Sequence, residues 1–107
     1  MIMGMDIDRL FDLTGKVAVV TGGGDGIGKG VCEILASAGA SVVVSNRTFE
    51  KANSVVSEIQ SHGGIAVAVR CDVLSDEDLV SLVDTAVSTY GTINILVNNA
   101  GIIRRIP

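Results

Sequence analysis

The sequence is poor in aromatic residues and has no excess of positive charge. Aromatic residues make up 3% of the 107 residues and tryptophan is absent, so the chain lacks the stacking platforms on which single-stranded nucleic acids bind. Eight Lys and Arg residues against 12 Asp and Glu residues give a formal net charge of −4. Because a basic surface is what attracts the nucleic-acid backbone, we predict no DNA or RNA partner.

Cysteine, proline and long apolar runs are also scarce. Cys32 and Cys71 are far apart and have no Cys or His neighbour, so we predict two free, buried thiols in a reducing compartment rather than a metal site. No segment reaches the roughly 18 apolar residues of a membrane span, and residues 1–13 lack the regions of a signal peptide. These features predict a cytoplasmic protein with no metal ion and no membrane association.

Short apolar runs alternate with amphipathic stretches along the chain. The runs predict buried parallel strands at 17–20, 42–44, 65–69 and 93–97. Thr48 predicts the start of one of the intervening helices, and the capping box from Ser75 to Asp78 predicts the start of another. The apolar stripes of the three helices are Ile27, Val31, Ile34, Leu35 and Ala38; Phe49, Ala52, Val55, Val56 and Ile59; and Leu79, Leu82, Val83, Ala86, Val87 and Tyr90.

This order of elements predicts an α/β fold with a Rossmann-like doubly wound parallel sheet. Right-handed crossovers favour the strand order 3-2-1-4, with a switch point between the first and fourth strands. Few residues follow the fourth strand, which would leave an open sheet edge. We therefore expect the chain to be a truncated, N-terminal portion of a longer domain.

A glycine-rich segment, residues 21–28, joins the first strand to the first helix. Its spacing, T-G-x-x-x-G-x-G, places backbone N–H groups at the positive end of a helix, where a pyrophosphate binds. The G-x-G-x-x-G fingerprint does not match, because Ile27 occupies its last position. The candidate phosphate-binding residues are Gly22, Gly24, Asp25, Gly26, Ile27 and Gly28.

Two other interpretations of this segment stay open. Gly23, Gly28 and Lys29 satisfy the G-x-x-x-x-G-K pattern of phosphate-binding NTPase loops, but Gly30 replaces the hydroxyl residue that would hold Mg²⁺. The segment could also be a glycine turn with no ligand.

The second predicted strand ends at Asn46 and Arg47, the position at which nucleotide-binding sheets contact the adenosine ribose. An acid there binds the 2′-hydroxyl of NAD, whereas an arginine accommodates the 2′-phosphate of NADP. Because no acid lies between this strand and Thr48, we predict NADP as the cofactor, with NAD the less favoured choice. Asp25 argues mildly against NADP, since it would repel that phosphate if it faced it. Arg47 could also be a solvated surface residue.

Three motifs in this order resemble those of the short-chain dehydrogenase/reductase family. They are the segment from Thr21 to Gly28, Asp72-Val73 after the third strand, and Asn-Asn-Ala-Gly at 98–101 after the fourth. The resemblance implies an NAD(P)-binding Rossmann-type domain over residues 14–107, incomplete at its C-terminus and preceded by an extension at 1–13. It also implies an oxidoreductase that moves hydride between NADP(H) and a secondary alcohol or ketone.

The resemblance assigns a part of the cofactor to each motif. These parts are the pyrophosphate (Ile27 with its glycine neighbours), the adenosine ribose (Asn46 and Arg47), the adenine edge (Asp72 and Val73) and the path to the nicotinamide ribose (Asn99, Ala100 and Gly101). Taken alone, Asp72 could be an acid that stabilises a turn, and Asn98 with Asn99 a hydrogen-bonded turn.

The family's catalytic groups lie outside this sequence. The resemblance implies a Ser, a Tyr-x-x-x-Lys pair and an Asn on a later helix, whereas the only tyrosine here, Tyr90, has Asn94 four residues on. We therefore assign no catalytic residue to this chain and expect its full-length parent to be the enzyme. Tyr90 is predicted to be a core or edge residue, and His62 to cap the end of the second helix.

The last residues bear on the substrate. Arg104 and Arg105 follow the fourth strand at the edge where ligands of open α/β sheets bind, and a guanidinium orients a carboxylate through paired hydrogen bonds. Residues 98–107 resemble the family branch of gluconate 5-dehydrogenase and deoxygluconate dehydrogenase, which implies a sugar acid such as gluconate. The alternative for the two arginines is an ion pair to a neighbouring helix or subunit.

Other functions stay open beside this one. Residues 38–45 and 57–60 are similar to bacterial 7α-hydroxysteroid dehydrogenases, so a hydroxysteroid or 3-oxoacyl reductase of the same family is an alternative. A non-catalytic nucleotide-binding fragment is another. The expected partners are a small-molecule substrate and, for the full-length protein, further copies of itself.

Overall fold

The computed structural model describes residues 11–99, so Ala100, Gly101, Arg104 and Arg105 lie outside the described residues. Strands and helices alternate along this part of the chain. The strands are β1 (Val17–Thr21), β2 (Ser41–Asn46), β3 (Ile65–Arg70) and β4 (Ile95–Asn98). The helices are α1 (Gly26–Ser37), α2 (Phe49–Ser61) and α3 (Asp76–Tyr90).

The four strands form one parallel sheet in the order β3-β2-β1-β4, as predicted. β1 lies inside the sheet, where Val19 pairs with Val43 of β2 on one side and with Leu96 of β4 on the other. The carboxyl ends of β1 and β4 are therefore neighbours. This is the switch point of the sheet, because successive strands are added on one side of β1 up to β3 and on the other side at β4. Loops that leave these ends meet at one edge, which is where open α/β sheets bind ligands.

Helices cover both faces of the sheet. On one face, Ala18, Val20 and Val44 belong to the core under α1 and α2, and on the other, Val19 and Val43 belong to the core under α3. Successive residues of β1 and β2 thus enter different cores. This is why both strands read as nearly unbroken apolar runs rather than as alternating patterns.

The predicted helix stripes are buried to very different extents. In α2 the stripe is buried apart from Phe49. In α1 the prediction is wrong for Ile27 and Ile34, which are 78% and 70% exposed, and in α3 it is wrong for Val83 and Val87, which are also exposed. The apolar stripes of α1 and α3 are wider than the sheet surface that each helix covers.

β4 begins at Ile95 rather than at the predicted Ile93. Asn94 makes the first contacts with β1 instead: its Oδ1 accepts a hydrogen bond from the Val17 N–H at 2.8 Å, and its own N–H donates to the Val17 carbonyl at 2.9 Å. Ile93 packs against the core under α3. Because the asparagine side chain supplies an acceptor, the ladder starts with a polar contact that the apolar pattern did not predict.

The predicted helix starts are confirmed in position, but only one has the expected hydrogen bond. Ser75 Oγ accepts from the Asp78 N–H at 3.1 Å, which is one half of a capping box. Thr48 is the N-cap residue of α2, but its side chain makes no cap hydrogen bond. Its N–H instead donates to Asn46 Oδ1 at 2.9 Å, so Asn46 shapes the turn between β2 and α2.

Candidate dinucleotide-binding site

The segment that joins β1 to α1, residues 22–28, is called the phosphate turn below. Gly22 and Gly26 have φ angles of 64° and 58°, which residues with a Cβ rarely adopt. Gly28 lies in the first turn of α1, where an added Cβ would collide with the Gly22 carbonyl oxygen and lie 2.6 Å from Asn99 Nδ2. The turn therefore presents bare backbone at the N-terminus of α1, the arrangement to which a pyrophosphate binds.

The hydroxyl of Thr21 connects the phosphate turn to the end of β4. The Asn99 N–H donates to Thr21 Oγ1 at 2.9 Å, and Thr21 Oγ1 donates to Asn98 Oδ1 at 3.0 Å. Asn99 Nδ2 also donates to the Gly22 carbonyl at 3.4 Å. Both asparagines are thus bonded to the end of β1 and the residue after it, and these bonds hold Asn99 directly beside the phosphate turn.

The ends of β2 and β3 carry a second cluster, Asn46, Arg47, Asp72 and Val73, called the adenosine corner below. The two strand ends are joined by a hydrogen bond of 3.0 Å from the N–H of Cys71 to the Asn46 carbonyl. Four of the predicted contact residues are therefore brought together at the carboxyl edge of the sheet.

The phosphate turn packs directly on the adenosine corner at Gly24. A Cβ added to this glycine would lie 2.5 Å from Asn46 Nδ2 and 2.6 Å from the Cβ of Lys51 in α2. Such close approaches leave no room for a side chain. One glycine thus brings together the pyrophosphate and ribose positions that the sequence predicted.

The charges beside the ribose position differ from what the sequence alone suggested. Asp25 is the N-cap residue of α1 but makes no side-chain cap hydrogen bond, because its carboxylate pairs with Lys51 Nζ at 2.9 Å. The ammonium offsets the repulsion that Asp25 would exert on a phosphate. Arg47 is exposed at the same corner, so two positive groups and one negative group surround this position.

Asp72 is held by the loop between β3 and α3. Its Oδ1 accepts from the Leu74 N–H at 2.9 Å, and its own N–H donates to Asp78 Oδ2 at 3.0 Å. The same carboxylate of Asp78 pairs with Arg70 at 2.8 Å. Asp72 therefore does stabilise a turn, and its carboxylate retains acceptor positions for a further donor, since an ionised carboxylate offers about four.

Both thiols are free and buried, as predicted. Cys32 lies beneath the phosphate turn with its Sγ 3.9 Å from the Gly23 carbonyl, and burial raises its pKa to about 12. Burial also raises the pKa of Cys71, with a further contribution from the Asp78 carboxylate. Both groups stay protonated at neutral pH, which makes them poor nucleophiles.

The other polar residues that the sequence singled out lie away from the carboxyl edge. Lys29, the lysine of the NTPase pattern, pairs with Glu58 of α2 at 3.2 Å. His62 is the C-cap residue of α2, and its Nδ1–H donates to the Glu58 carbonyl at 2.9 Å, which is the capping role predicted for it. Tyr90 packs on the core under α3, and burial raises the pKa of its hydroxyl. These contacts favour structural roles for all three residues.

Across residues 11–99, no three His, Cys, Asp or Glu side chains are grouped so that they could hold a metal ion. In the same part of the chain, no helix is both long and apolar enough to cross a membrane.

Comparison with known proteins agrees with this fold. The family described as short chain dehydrogenase matches residues 16–107. The chain belongs to the short-chain dehydrogenase family. One family member, the short-chain dehydrogenase/reductase homolog YusS of Bacillus subtilis, is 46% identical over 93 residues, which are 86% of this chain and 85% of that protein.

Two further similarities are to hydroxysteroid dehydrogenases. The 7α-hydroxysteroid dehydrogenase of Escherichia coli is 54% identical over 89 residues, which are 83% of this chain but 35% of that enzyme. A solved structure of 7α-hydroxysteroid dehydrogenase with NADH and 7-oxo glycochenodeoxycholic acid is 48% identical, with a TM-score of 0.82 over 86% of this chain and 36% of that one. The chain thus spans about a third of the length of these enzymes.

Three residues that organise the site were not among the predicted contacts. Thr21 is the first residue of the T-G-x-x-x-G-x-G motif, and this position in the motif could have indicated a role in the site. Asp78 was identified only as part of a capping box, although its carboxylate holds Asp72. Lys51 carried no signal, because its pairing with Asp25 joins residues 26 positions apart in the sequence.

Proposed function

We propose that this chain forms the cofactor-binding portion of an NADP(H)-dependent short-chain oxidoreductase. The geometry of the phosphate turn carries the proposal: close packing at Gly24 and Gly28 fixes the turn. At Gly26, the first residue of α1, a Cβ position has nothing within 4 Å, so the helix N-terminus is open there to a pyrophosphate. The cofactor, when bound, supplies the hydride chemistry. The residues of this chain bind and orient it, with Asn99 on the nicotinamide side and Asp72 on the adenine side.

The charges at the adenosine corner support NADP(H) over NAD(H). The end of β2 carries Asn46 and Arg47 in place of an acid, and Asp25 of the phosphate turn is paired with Lys51. The net charge of Arg47, Lys51 and Asp25 is positive, which suits a 2′-phosphate better than a 2′-hydroxyl. The solved relative holds NADH, and titration of this chain with both cofactors tests the preference.

A hydroxysteroid is a better supported substrate class than a sugar acid. Two of the relatives reported above are 7α-hydroxysteroid dehydrogenases, and one of their solved structures holds 7-oxo glycochenodeoxycholic acid. The sugar-acid prediction depended on Arg104, Arg105 and the resemblance of residues 98–107 to gluconate enzymes, and the comparisons give that resemblance no support. We therefore propose a secondary hydroxyl of a steroid as the group oxidised, or the matching ketone as the group reduced.

A second candidate is a nucleotide-binding protein without turnover. It is favoured by the YusS homolog, 85% of whose length this chain matches. For the enzyme, we propose that a full-length parent of this chain supplies the Ser and the Tyr-x-x-x-Lys pair, acts in the cytoplasm and assembles as a homo-oligomer.

Two measurements test the proposal. Isothermal titration of the chain with NADPH and with NADH should show binding of both, with NADPH the tighter ligand; binding of neither removes the proposal. The product of the complete gene should then reduce NADP⁺ with a 7α-hydroxysteroid and not with gluconate. Turnover of gluconate alone would restore the sugar-acid hypothesis, and cofactor binding without any turnover would favour the second candidate.

A further inference from the structure

Lys51 lies in the first turn of α2, on the side that faces the phosphate turn. Its ammonium is 2.9 Å from Asp25 Oδ2. A Cβ added to Gly24 would lie 2.6 Å from the Cβ of Lys51 and 2.5 Å from Asn46 Nδ2. The lysine stem and the amide of Asn46 are therefore neighbours across one glycine. This places a positive group at the ribose position that no sequence motif indicated.

The ion pair of Lys51 adds little to the stability of the fold. The two side chains are 55% and 63% exposed, and ion pairs that face water add little to stability because the solvent screens them. The backbone of Lys51 is instead fixed by its neighbour Ala52, which is fully buried. The base of the Lys51 side chain is thus held in place by the helix and by Gly24, while the bond of its ammonium to Asp25 remains easy to exchange.

A 2′-phosphate competes well for such an ammonium. A phosphate monoester carries about −1.5 to −2 charge at neutral pH, more than one carboxylate, and offers three strong acceptor oxygens. Exchange of partners from Asp25 to the phosphate requires only rotation of the exposed lysine side chain. A 2′-hydroxyl has no charge with which to displace the carboxylate.

We propose that Lys51 is a specificity-determining residue for NADP(H). Its ammonium leaves the ion pair with Asp25 and binds the 2′-phosphate of the cofactor instead. In the free protein, Asp25 keeps the lysine at the ribose position; with NADPH bound, the phosphate takes its place. The inference rests on the proposed function, because it assumes that the adenosine ribose lies beside Asn46. It adds to Arg47 a second positive group from a different element.

The test compares adenosine 2′,5′-bisphosphate with ADP, so that the nicotinamide end plays no part. Isothermal titration is carried out with the full chain and with the variants Lys51→Met, Lys51→Arg and Lys29→Met. Lys51→Met keeps the stem that contacts Gly24 and removes only the charge. Lys29→Met is the matched control, since Lys29 also forms an exposed ion pair between α1 and α2.

Lys51→Met should weaken binding of the bisphosphate by about tenfold, the loss of one charge-assisted hydrogen bond. Its affinity for ADP should change by less than about twofold, since ADP has no 2′-phosphate. Lys51→Arg should keep the wild-type preference for the bisphosphate over ADP, which also shows that a substitution at this position leaves the chain folded. Lys29→Met should have the wild-type affinity for both ligands.

Three results would overturn the inference, and they are distinguishable. If Lys51→Met weakens both ligands equally, or if Lys29→Met has the same effect, the lysine acts only through general charge. If all variants keep the wild-type affinities for both ligands, Lys51 does not contact the phosphate and the proposed function still stands. If the wild-type chain binds neither ligand, the proposed function fails and the inference fails with it.

Discussion

The phosphate turn and the adenosine corner lie side by side but are built by different physical means. In the phosphate turn, contacts between backbone atoms leave no space at Gly28, so the shape follows from excluded volume. In the adenosine corner, Arg47 is an exposed charge and Asp72 is held by hydrogen bonds to Leu74 and Asp78. The first region can hold the part common to all dinucleotides, and the second can distinguish between them.

The difference indicates which changes each region tolerates. A side chain added where backbone atoms already touch can be accommodated only if a strand or a helix moves. An exposed charge can be replaced with little cost to the fold, because surface substitutions usually change stability by about 0.5 kcal/mol or less. Substitutions in the phosphate turn should therefore affect binding and stability together, whereas those in the adenosine corner should affect mainly the choice of ligand.

The largest effect is expected from Gly28→Ala. The new Cβ would collide with the Gly22 carbonyl, so the unfolding free energy should fall by about 3 kcal/mol, and NADPH binding should be lost. Gly30→Ala, in the same helix, is the control: a Cβ there meets nothing within 4 Å, and alanine should stabilise the helix by up to about 1 kcal/mol. Denaturant unfolding and titration with NADPH measure both. Equal behaviour of the two variants would contradict the role of crowding.

Asp78→Ala should have the next largest effect. It removes the ion pair with Arg70 and the acceptor for the Asp72 N–H, and hydrogen bonds to charged groups contribute about 1.5–3 kcal/mol. NADPH and NADH should both bind more weakly, with their affinity ratio unchanged, because the adenine edge is common to both. Asp84→Ala, an exposed position on the same helix, should leave binding unchanged. A shift in the ratio for Asp78→Ala would place this residue at the ribose instead.

Arg47→Asp should change selectivity without changing the fold. An acid after β2 suits the 2′-hydroxyl of NADH and repels the 2′-phosphate of NADPH. The ratio of the two dissociation constants should shift towards NADH by about tenfold, which corresponds to about 1.4 kcal/mol. Arg47→Lys should keep the wild-type preference. No shift for Arg47→Asp would mean that the side chain is a solvated surface residue.

The smallest effects are expected at the two helix starts that flank the adenosine corner. Ser75→Ala removes a cap hydrogen bond of 3.1 Å and should cost about 1 kcal/mol of unfolding free energy. Thr48→Ala removes a side chain that makes no such bond, so its cost should be below about 0.5 kcal/mol. Thermal unfolding of both variants decides the comparison, and a larger loss for Thr48→Ala would contradict the assigned hydrogen bonds.

Most of the fold could be predicted because its determinants are local. The valine runs of β1 and β2 and the glycine spacing around Gly28 are properties of short segments, and right-handed crossovers then fix the strand order. The phosphate turn followed from the same local pattern. The helix stripes of α1 and α3 were predicted less well, since exposure of Ile34 or Val83 depends on how far the sheet extends beneath the helix.

The polar contacts of the adenosine corner could not be predicted in the same way. Asp25 has an apparent local role as an N-cap residue, yet its carboxylate pairs with Lys51 of another helix. Asp78 likewise acts on Asp72 rather than on its own helix start. Such choices among acceptors depend on the packed arrangement of several elements, which sequence periodicity does not encode.

The most direct test of the account follows amide proton–nitrogen correlation spectra of the chain during titration with NADPH. We predict that the largest shifts fall on the phosphate turn and on the adenosine corner, from Gly22 to Gly28 and at Asn46, Arg47 and Asp72. Shifts confined to the cleft between α1 and α2, which is lined by Glu33 and His62, or no shifts at all, would contradict a dinucleotide site at the carboxyl edge of the sheet.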